Sequence, residues 1–168
     1  EAQELARRQG IRGRYVPAEN LHLTLAFLGE CGSAAPVREA LRSVDFAPFQ
    51  LVLSGTGSFG RIFWLGVREN PCLTALSENV RAALSQHGIF FDPKPFKAHI
   101  TLIRDASGTN GKALSIPPRE MTVRKFSLEK SEMGRGGVKY TELFAFRADM
   151  GKRSDLQAGS LFLSAQTR

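Results

Sequence analysis

Cysteine is scarce in this chain of 168 residues, which contains only Cys31 and Cys72. Two cysteines are too few for a disulfide framework, and neither lies in a CxxC or HxxxH pattern that would indicate zinc. Long hydrophobic runs are also missing: no stretch approaches the roughly 18 apolar residues of a membrane span, and the N-terminal sequence lacks the apolar segment of a secretory signal. We therefore expect a cytoplasmic protein with reduced thiols and no membrane attachment.

Acidic residues are outnumbered by basic ones, 16 against 23, which gives a formal charge of +7 and a pI near 9.9. This excess favours a polyanionic partner such as nucleic acid. The basic residues are spread along the chain, so solubility is an equally simple explanation of the charge. No GxGxxG or GxxxxGK[ST] loop connects a predicted strand to a following helix, so the sequence does not support a nucleotide-binding parallel sheet.

The pattern of apolar residues predicts an α+β fold with mainly antiparallel strands. Helices are predicted over residues 2–9, 33–44 and 70–88, and strands over residues 21–28, 50–53, 62–67, 98–103, 122–128 and 140–146. The last two strands form a hairpin, whereas residues 54–60 predict a loop or bulge and residues 105–118 a polar loop. Residues 149–168 show no clear period and predict a polar tail of unknown role.

Two of the three histidines occur in nearly identical short sequences. The two sequences are Leu21-His22-Leu23-Thr24-Leu25 and Ala98-His99-Ile100-Thr101-Leu102. Because side chains alternate along a strand, each histidine shares a face with its threonine while the apolar neighbours cover the opposite face. A single His-x-Thr is most often structural, but two matched copies predict two imidazoles and two hydroxyls facing one ligand.

This set of side chains suits the cleavage of a phosphoester. One imidazole takes a proton from the attacking water and the other gives one to the leaving oxygen, while the hydroxyls hold the phosphoryl oxygens. A zinc site is the competing interpretation, but each motif supplies one good ligand, and neither Cys31 nor His87 lies at a ligand spacing. We interpret His87 as structural, because an imidazolium at the end of a helix meets the helix dipole favourably.

The motifs and their surroundings resemble the two-histidine phosphoesterase superfamily, and within it the LigT-like RNA 2',3'-cyclic phosphodiesterases. The resemblance extends from about Leu5 to Phe146. It rests on RYVPAENLHLTLAFLGE at residues 14–30, FKAHITLIR at 96–104, and SLEKS with YTEL at 127–131 and 140–143. Members of this family usually begin with an apolar strand before the first helix, whereas this sequence opens within that helix.

The resemblance implies a single domain over residues 1–148 with two lobes, in which two mainly antiparallel sheets line a central cleft and helices lie outside. It implies hydrolysis of a terminal RNA 2',3'-cyclic phosphate to a 2'-phosphate without metal or cofactor. His22 is then the proton donor to the departing 3' oxygen, and His99 is the proton acceptor for water. Thr24 and Thr101 would bind the phosphate.

Arg104 is a further candidate for substrate binding, since it follows the second motif closely. Its odd spacing from Thr101 places it on the opposite face unless the strand bends, and a solvated strand end is its alternative role. Phe59 is a candidate to stack on a base, because it lies in a glycine-rich segment and is less typical of a core than Phe27 or Phe96. Core packing is the alternative for all three phenylalanines.

Three hypotheses for function follow. The leading one is a monomeric RNA 2',3'-cyclic phosphodiesterase. The second is an RNA-binding module that holds the phosphorylated end without turning it over. The third keeps an enzyme of the same superfamily that forms 2'-5' RNA bonds or acts on a small cyclic nucleotide phosphate.

Overall fold

The computed structural model of the protein describes residues 1–108, 113–135 and 137–149, and the backbone of residues 158–166. Its helices are α1 (Ala2–Arg8), α2 (Ala35–Leu41) and α3 (Pro71–Gln86), with a 3₁₀ turn over Ala18–Asn20. Its strands are β1 (Arg12–Tyr15), β2 (Thr24–Glu30), β3 (Phe49–Phe59), β4 (Ile62–Val67), β5 (His99–Ser107), β6 (Arg119–Gly134), β7 (Gly137–Arg147) and β8 (Ala158–Gln166). Among the described helices, none is long and apolar enough to cross a membrane.

Helix α3 forms as its sequence predicts. Asn70 caps it by accepting a hydrogen bond from the Leu73 N–H at 3.0 Å, and Pro71 occupies the first turn. The apolar stripe is buried: Leu73, Leu76, Val80 and Leu84 are all at most 2% exposed. Helix α2 is shorter than predicted. It ends in a turn in which the Val44 N–H donates to the Leu41 carbonyl.

The strands pair in the order β1-β5-β4-β3-β6-β8-β2, and β7 pairs with the outer part of β6. All pairings are antiparallel except those of β8, which runs parallel to both β6 and β2. The predicted α+β class and the mainly antiparallel pairing are confirmed. The described hydrogen bonds join all strands into one sheet, so strand pairing does not divide it into the two separate sheets that we expected.

Residues 54–60 were predicted as a loop or bulge, but they continue strand β3 into a tight hairpin with β4. The glycines that suggested a loop have three different roles. Gly55 has φ +71° at a shift in register, and Gly60 has φ +56° in the turn. Gly57 lies beneath the Trp64 ring, since a Cβ there would come within 2.3 Å of the ring. The prediction was right for the bulge and wrong for the loop.

The expectation that residues 149–168 form no regular element was also wrong. Strand β8 lies between β2 and β6, with Thr24 opposite position 162 and Glu129 opposite position 164. A parallel pairing has no connecting turn, so no short-range signal in the sequence indicates it. Residues 150–157, 167 and 168 of the predicted tail lie outside the described part of the chain.

Two hydrophobic cores support the sheet. The larger lies between α2, α3 and strands β2, β3 and β6, and includes Leu25, Leu76 and Phe126. The smaller packs α1 against β4 and β5, and includes Ala6 and Ile103. Each motif touches both cores: Leu23 and Ile100 pack in the larger one, and Leu21 and Leu102 pack in the smaller one. The two motifs therefore lie where the cores approach each other.

Candidate active site

The two His-x-Thr motifs meet directly. Leu23, the central residue of the first motif, forms an antiparallel bridge with Ile100, the central residue of the second. Leu23 is 2% exposed, and both residues belong to the packing of the larger core. Their burial turns the flanking histidines and threonines toward the opposite side, where charge on His99 contributes to lowering the pKa of His22. The two imidazoles therefore lie within electrostatic range of each other.

Both imidazoles are oriented by the same hydrogen bond, from Nδ1 to the backbone carbonyl two residues earlier. His22 Nδ1 lies 2.7 Å from the Asn20 carbonyl oxygen, and His99 Nδ1 lies 2.6 Å from the Lys97 carbonyl oxygen. A carbonyl can only accept, so Nδ1 carries the proton and donates in both residues. This hydrogen bond leaves Nε2 as the proton-exchanging nitrogen of each ring. Asn20 is itself fixed, because its side-chain amide donates to the Val138 carbonyl at 2.8 Å.

Aromatic rings hold each imidazole from the side. The Tyr140 ring lies 4.7 Å from the His22 ring, centroid to centroid. The Phe59 ring meets His99 edge-on at 5.1 Å, and the Trp64 ring lies 6.4 Å from it. Such contacts restrict the rotation of the imidazole rings. Phe59, which we predict to stack on a base, thus lies in contact with His99.

Burial lowers the pKa of His22, because the charged imidazolium loses solvation there. The hydrogen bond to the Asn20 carbonyl acts in the opposite direction, and the charges of Arg104 and His99 add to the lowering. His22 is therefore neutral at neutral pH in the unliganded protein. An anion bound between Arg104 and the two rings opposes this effect and favours protonation of His22.

Arg104 lies on the same side of β5 as Thr101, contrary to the simple expectation from their odd spacing. Thr101 pairs with Trp64 and Ile103 pairs with Phe63, so Leu102 is an extra residue at a β-bulge. Leu102 and Ile103 are accordingly both buried, at 2% and 0% exposure. The bulge reverses the alternation and brings the Arg104 side chain to the cavity that Thr101 and His22 line. Arg104 thus has the position that the hypothesis requires.

Two cavities open on either side of the histidines. We call the first the polar cavity; it encloses about 210 Å³ and is lined by Arg14, Asn20, His22, Thr101, Arg104 and Tyr140, among others. We call the second the aromatic cavity; it encloses about 470 Å³ and is lined by Thr24, Phe27, Phe59, Phe96, Lys97 and His99, among others. Each cavity therefore combines the histidine of one motif with the threonine of the other.

The zinc alternative finds no support among the described residues, where no group of three or more His, Cys, Asp and Glu side chains comes together. Cys31 is half-buried and Cys72 is exposed, and both are free thiols. His87 lies at the end of α3, where its Nδ1–H donates to the Ala83 carbonyl at 2.9 Å, in agreement with a structural role.

Sequence reasoning missed several residues of the site. Trp64 and Asn20 support the two histidines, but no spacing in the sequence connects either of them with the motif that it contacts. Arg14 lines the polar cavity because β1 pairs with β5, where Arg14 lies directly opposite Arg104. Tyr140 belongs to a segment that carried the family resemblance, yet its contact with His22 was not predicted.

Comparison with known proteins gives a consistent result. The family described as LigT like Phosphoesterase matches residues 1–64 and 65–140, each of which contains one His-x-Thr motif. The chain is 39% identical to an RNA 2',3'-cyclic phosphodiesterase of Escherichia coli over 140 residues, which cover 78% of this chain and 77% of the relative. It is 37% identical to one from Archaeoglobus fulgidus, over 82% of this chain and 85% of the relative.

Solved structures show the same fold. A crystal structure of E. coli LigT complexed with 3'-AMP superimposes with a TM-score of 0.69 at 38% identity, over 81% of each chain. A crystal structure described as a phosphoesterase gives a TM-score of 0.72 at 35% identity, over 88% of this chain and 90% of that one. The resemblance expected from the motifs is therefore confirmed.

Proposed function

Because the chain belongs to the LigT-like phosphoesterase family, we propose that it is an RNA 2',3'-cyclic phosphodiesterase, which opens the cyclic phosphate at an RNA end to a 2'-phosphate. The observation that carries the proposal is the direct contact of the two His-x-Thr motifs through Leu23 and Ile100. The names of the relatives support it, and so does the arrangement of both imidazoles with Nε2 as the reactive nitrogen.

In the proposed reaction, the cyclic phosphate lies between the two imidazoles. Nε2 of His99 accepts a proton from water, the water oxygen bonds to phosphorus, and the bond from phosphorus to the 3' oxygen breaks. Nε2 of His22 donates the proton that the 3' oxygen takes up, and the 2' oxygen keeps the phosphate. The hydroxyls of Thr24 and Thr101 and the Arg104 guanidinium stabilise the negative charge on the non-bridging oxygens.

The lowered pKa of His22 bears on this assignment, because a proton donor must first carry the proton. We infer that substrate binding causes His22 to take up the proton that it then donates. The negative phosphate approaches Arg104 and both imidazoles, offsets their mutual repulsion and raises the pKa of His22 in the complex. Proton donation is then coupled to substrate binding, and the free protein keeps His22 neutral.

The first test measures hydrolysis of a short RNA that ends in a 2',3'-cyclic phosphate, with identification of the product isomer. His22→Ala and His99→Ala should each lower kcat by about 10²- to 10⁴-fold, as expected for loss of a general acid or base. His87→Ala is the matched control and should retain full kcat, and a chelator should have no effect. Full activity of either motif variant, or a 3'-phosphate product, would contradict the proposal.

The second test assigns the roles of the two histidines. In a substrate whose 3' bridging oxygen is replaced by sulfur, the leaving group departs as a thiolate, which needs little help from an acid because thiols ionise near pH 8.5. His22→Ala should regain most of its activity on this substrate, while His99→Ala should stay impaired. The opposite pattern would reverse the two roles and leave the reaction type unchanged.

The proposal includes an RNA substrate, a monomeric protein and a cytoplasmic location, and the last two are predictions from the sequence. An RNA-binding module without turnover predicts salt-dependent binding of the phosphorylated RNA with no 2'-phosphate product. Formation of 2'-5' bonds, or a preference for a small cyclic nucleotide phosphate, would be detected by supplying a 5'-hydroxyl RNA or the small substrate in the same assay.

A further inference from the structure

The aromatic cavity extends beyond the catalytic residues to a charged cluster that the phosphate chemistry does not use. The cluster consists of Arg81, Asp92 and Lys94, all of which line the cavity. Asp92 accepts two hydrogen bonds from Lys94, one from its backbone N–H and one from its ammonium group, both at 3.0 Å. The Arg81 guanidinium donates to the Lys94 carbonyl at 2.9 Å. The three residues thus form one connected unit.

The walls between this cluster and His99 suit a flat aromatic ligand. Phe27 and Phe59 are large apolar side chains that are each 39% exposed, and both line the cavity. The backbone N–H of Asp92 donates to the Phe27 carbonyl at 2.7 Å, which ties the cluster to the wall. A volume of about 470 Å³ lies in the range of small-ligand sites. A nucleobase that stacks on these rings directs its edge toward the charged cluster.

The cluster offers both acceptors and donors to such an edge. The Asp92 carboxylate has about four lone-pair positions, and its two hydrogen bonds from Lys94 use two of them. Hydrogen bonds from Lys94 lower the pKa of Asp92, so the carboxylate is ionised at neutral pH and can only accept. The Arg81 Nε is buried and has no hydrogen-bond partner among the described residues. This Nε has almost no accessible surface, so a ligand in the cavity would accept instead from the terminal nitrogens of the Arg81 guanidinium.

We propose that Asp92 and Arg81 read the edge of the terminal base and favour guanine. Guanine presents two adjacent donors, N1–H and the N2 amino group, which a carboxylate accepts side by side, and its O6 accepts from a guanidinium. Adenine and cytosine place a ring-nitrogen lone pair beside their single amino group. Uracil flanks its N3–H with two carbonyls. Each of these three edges sets a lone pair against an Asp92 oxygen. This inference rests on the proposed function.

The test compares kcat/KM of the full chain on the 2',3'-cyclic monophosphates of guanosine, adenosine, cytidine and uridine. Guanosine should exceed each of the others by at least about fivefold, the lower end of discrimination by a bidentate contact. Inosine, which lacks the N2 amino group, should fall between guanosine and adenosine. Asp92→Asn should lower the guanosine value by at least about fivefold and lower none of the other three, because an amide no longer opposes their lone pairs. Asp45→Asn, at an exposed carboxylate outside the cavity, is the matched control.

Values within twofold for all four nucleotides, or an equal loss on all four in Asp92→Asn, would overturn the inference while leaving the hydrolase proposal intact. Absence of turnover on every substrate would instead contradict the hydrolase proposal. The inference is then decided by calorimetry with guanosine and adenosine 2'-monophosphates. Tighter binding of the guanosine compound that Asp92→Asn abolishes supports it, and equal affinities overturn it. Melting temperatures of both variants exclude unfolding as the cause.

Discussion

Replacement of Glu129 by glutamine is expected to stabilise the protein at alkaline pH. Glu129 lies in β6 and is only 4% exposed. Burial first, and then the charge of Glu142, raise its pKa from 4.5 to about 7, while Lys125 acts against them. Lys125 and Ser127 donate to the Glu142 carboxylate, both at 2.6 Å, so the nearby cation is already engaged by Glu142. Glu129 is therefore the carboxyl that is costly to ionise.

The sign follows from the raised pKa. Below about pH 4.5 Glu129 is protonated in both the folded and the unfolded state and makes no difference. Between pH 4.5 and about 7 the unfolded chain ionises first, so the free energy of unfolding falls as pH rises, and above pH 7 the full penalty is present. At about 1.36 kcal/mol per pH unit this interval corresponds to at most about 3.4 kcal/mol, and partial solvation and Lys125 reduce it to about 1–3 kcal/mol.

Urea denaturation of Glu129→Gln and the unsubstituted protein at pH 4, 6 and 8 measures this effect. The variant should gain about 1–3 kcal/mol at pH 8, or several degrees in Tm, and almost nothing at pH 4. Glu120→Gln, at an exposed position on the same strand, is the control and should show no comparable change. A gain that is independent of pH, or a loss at pH 8, would refute the reasoning, because either result would mean that Glu129 is not kept neutral by burial.

Two further predictions concern the support of the histidines. Gly57→Ala should lower kcat/KM and destabilise the fold by about 1–3 kcal/mol, because the new Cβ would lie 2.3 Å from the Trp64 ring and displace a side chain that contacts His99. Gly32→Ala is the control in the same activity and urea assays, since a Cβ there meets nothing within 4 Å. A chain that ends at residue 157 lacks β8, so β2 loses its main pairing partner and activity should fall strongly. Adding a peptide of residues 158–168 should restore activity. Full activity of the shortened chain alone would contradict the role of β8.

Local patterns in the sequence predicted the elements that depend on local interactions. Helix α3 has its cap, its proline and its apolar stripe all between Asn70 and Leu84, and strands β6 and β7 pair as consecutive segments of the chain. The His-x-Thr motifs were recognised because the alternation of side chains in a strand decides which residues share a face. The structure brings His22 and His99 within electrostatic range of each other, and their shared catalytic role stays a prediction.

Features that depend on how one strand pairs with another were not predicted. Strand β8 pairs with segments far from it in sequence, and the extension of β3 through residues 54–60 depends on its pairing with β4. The position of Arg104 depends on one extra residue, Leu102, in the pairing of β5 with β4. Period counting cannot detect a bulge, since a bulge is a property of two strands and the sequence pattern describes only one.

The crossed composition of the two cavities has a consequence for how activity is controlled. Since His22 shares its cavity with Thr101, and His99 shares its own with Thr24, residues 1–64 and 65–140 each hold only half of both partnerships. Turnover thus depends on the contact between the two motifs. A separation at the Leu23–Ile100 bridge would break both partnerships at once, and because both residues pack in the larger core, it would disturb that core as well.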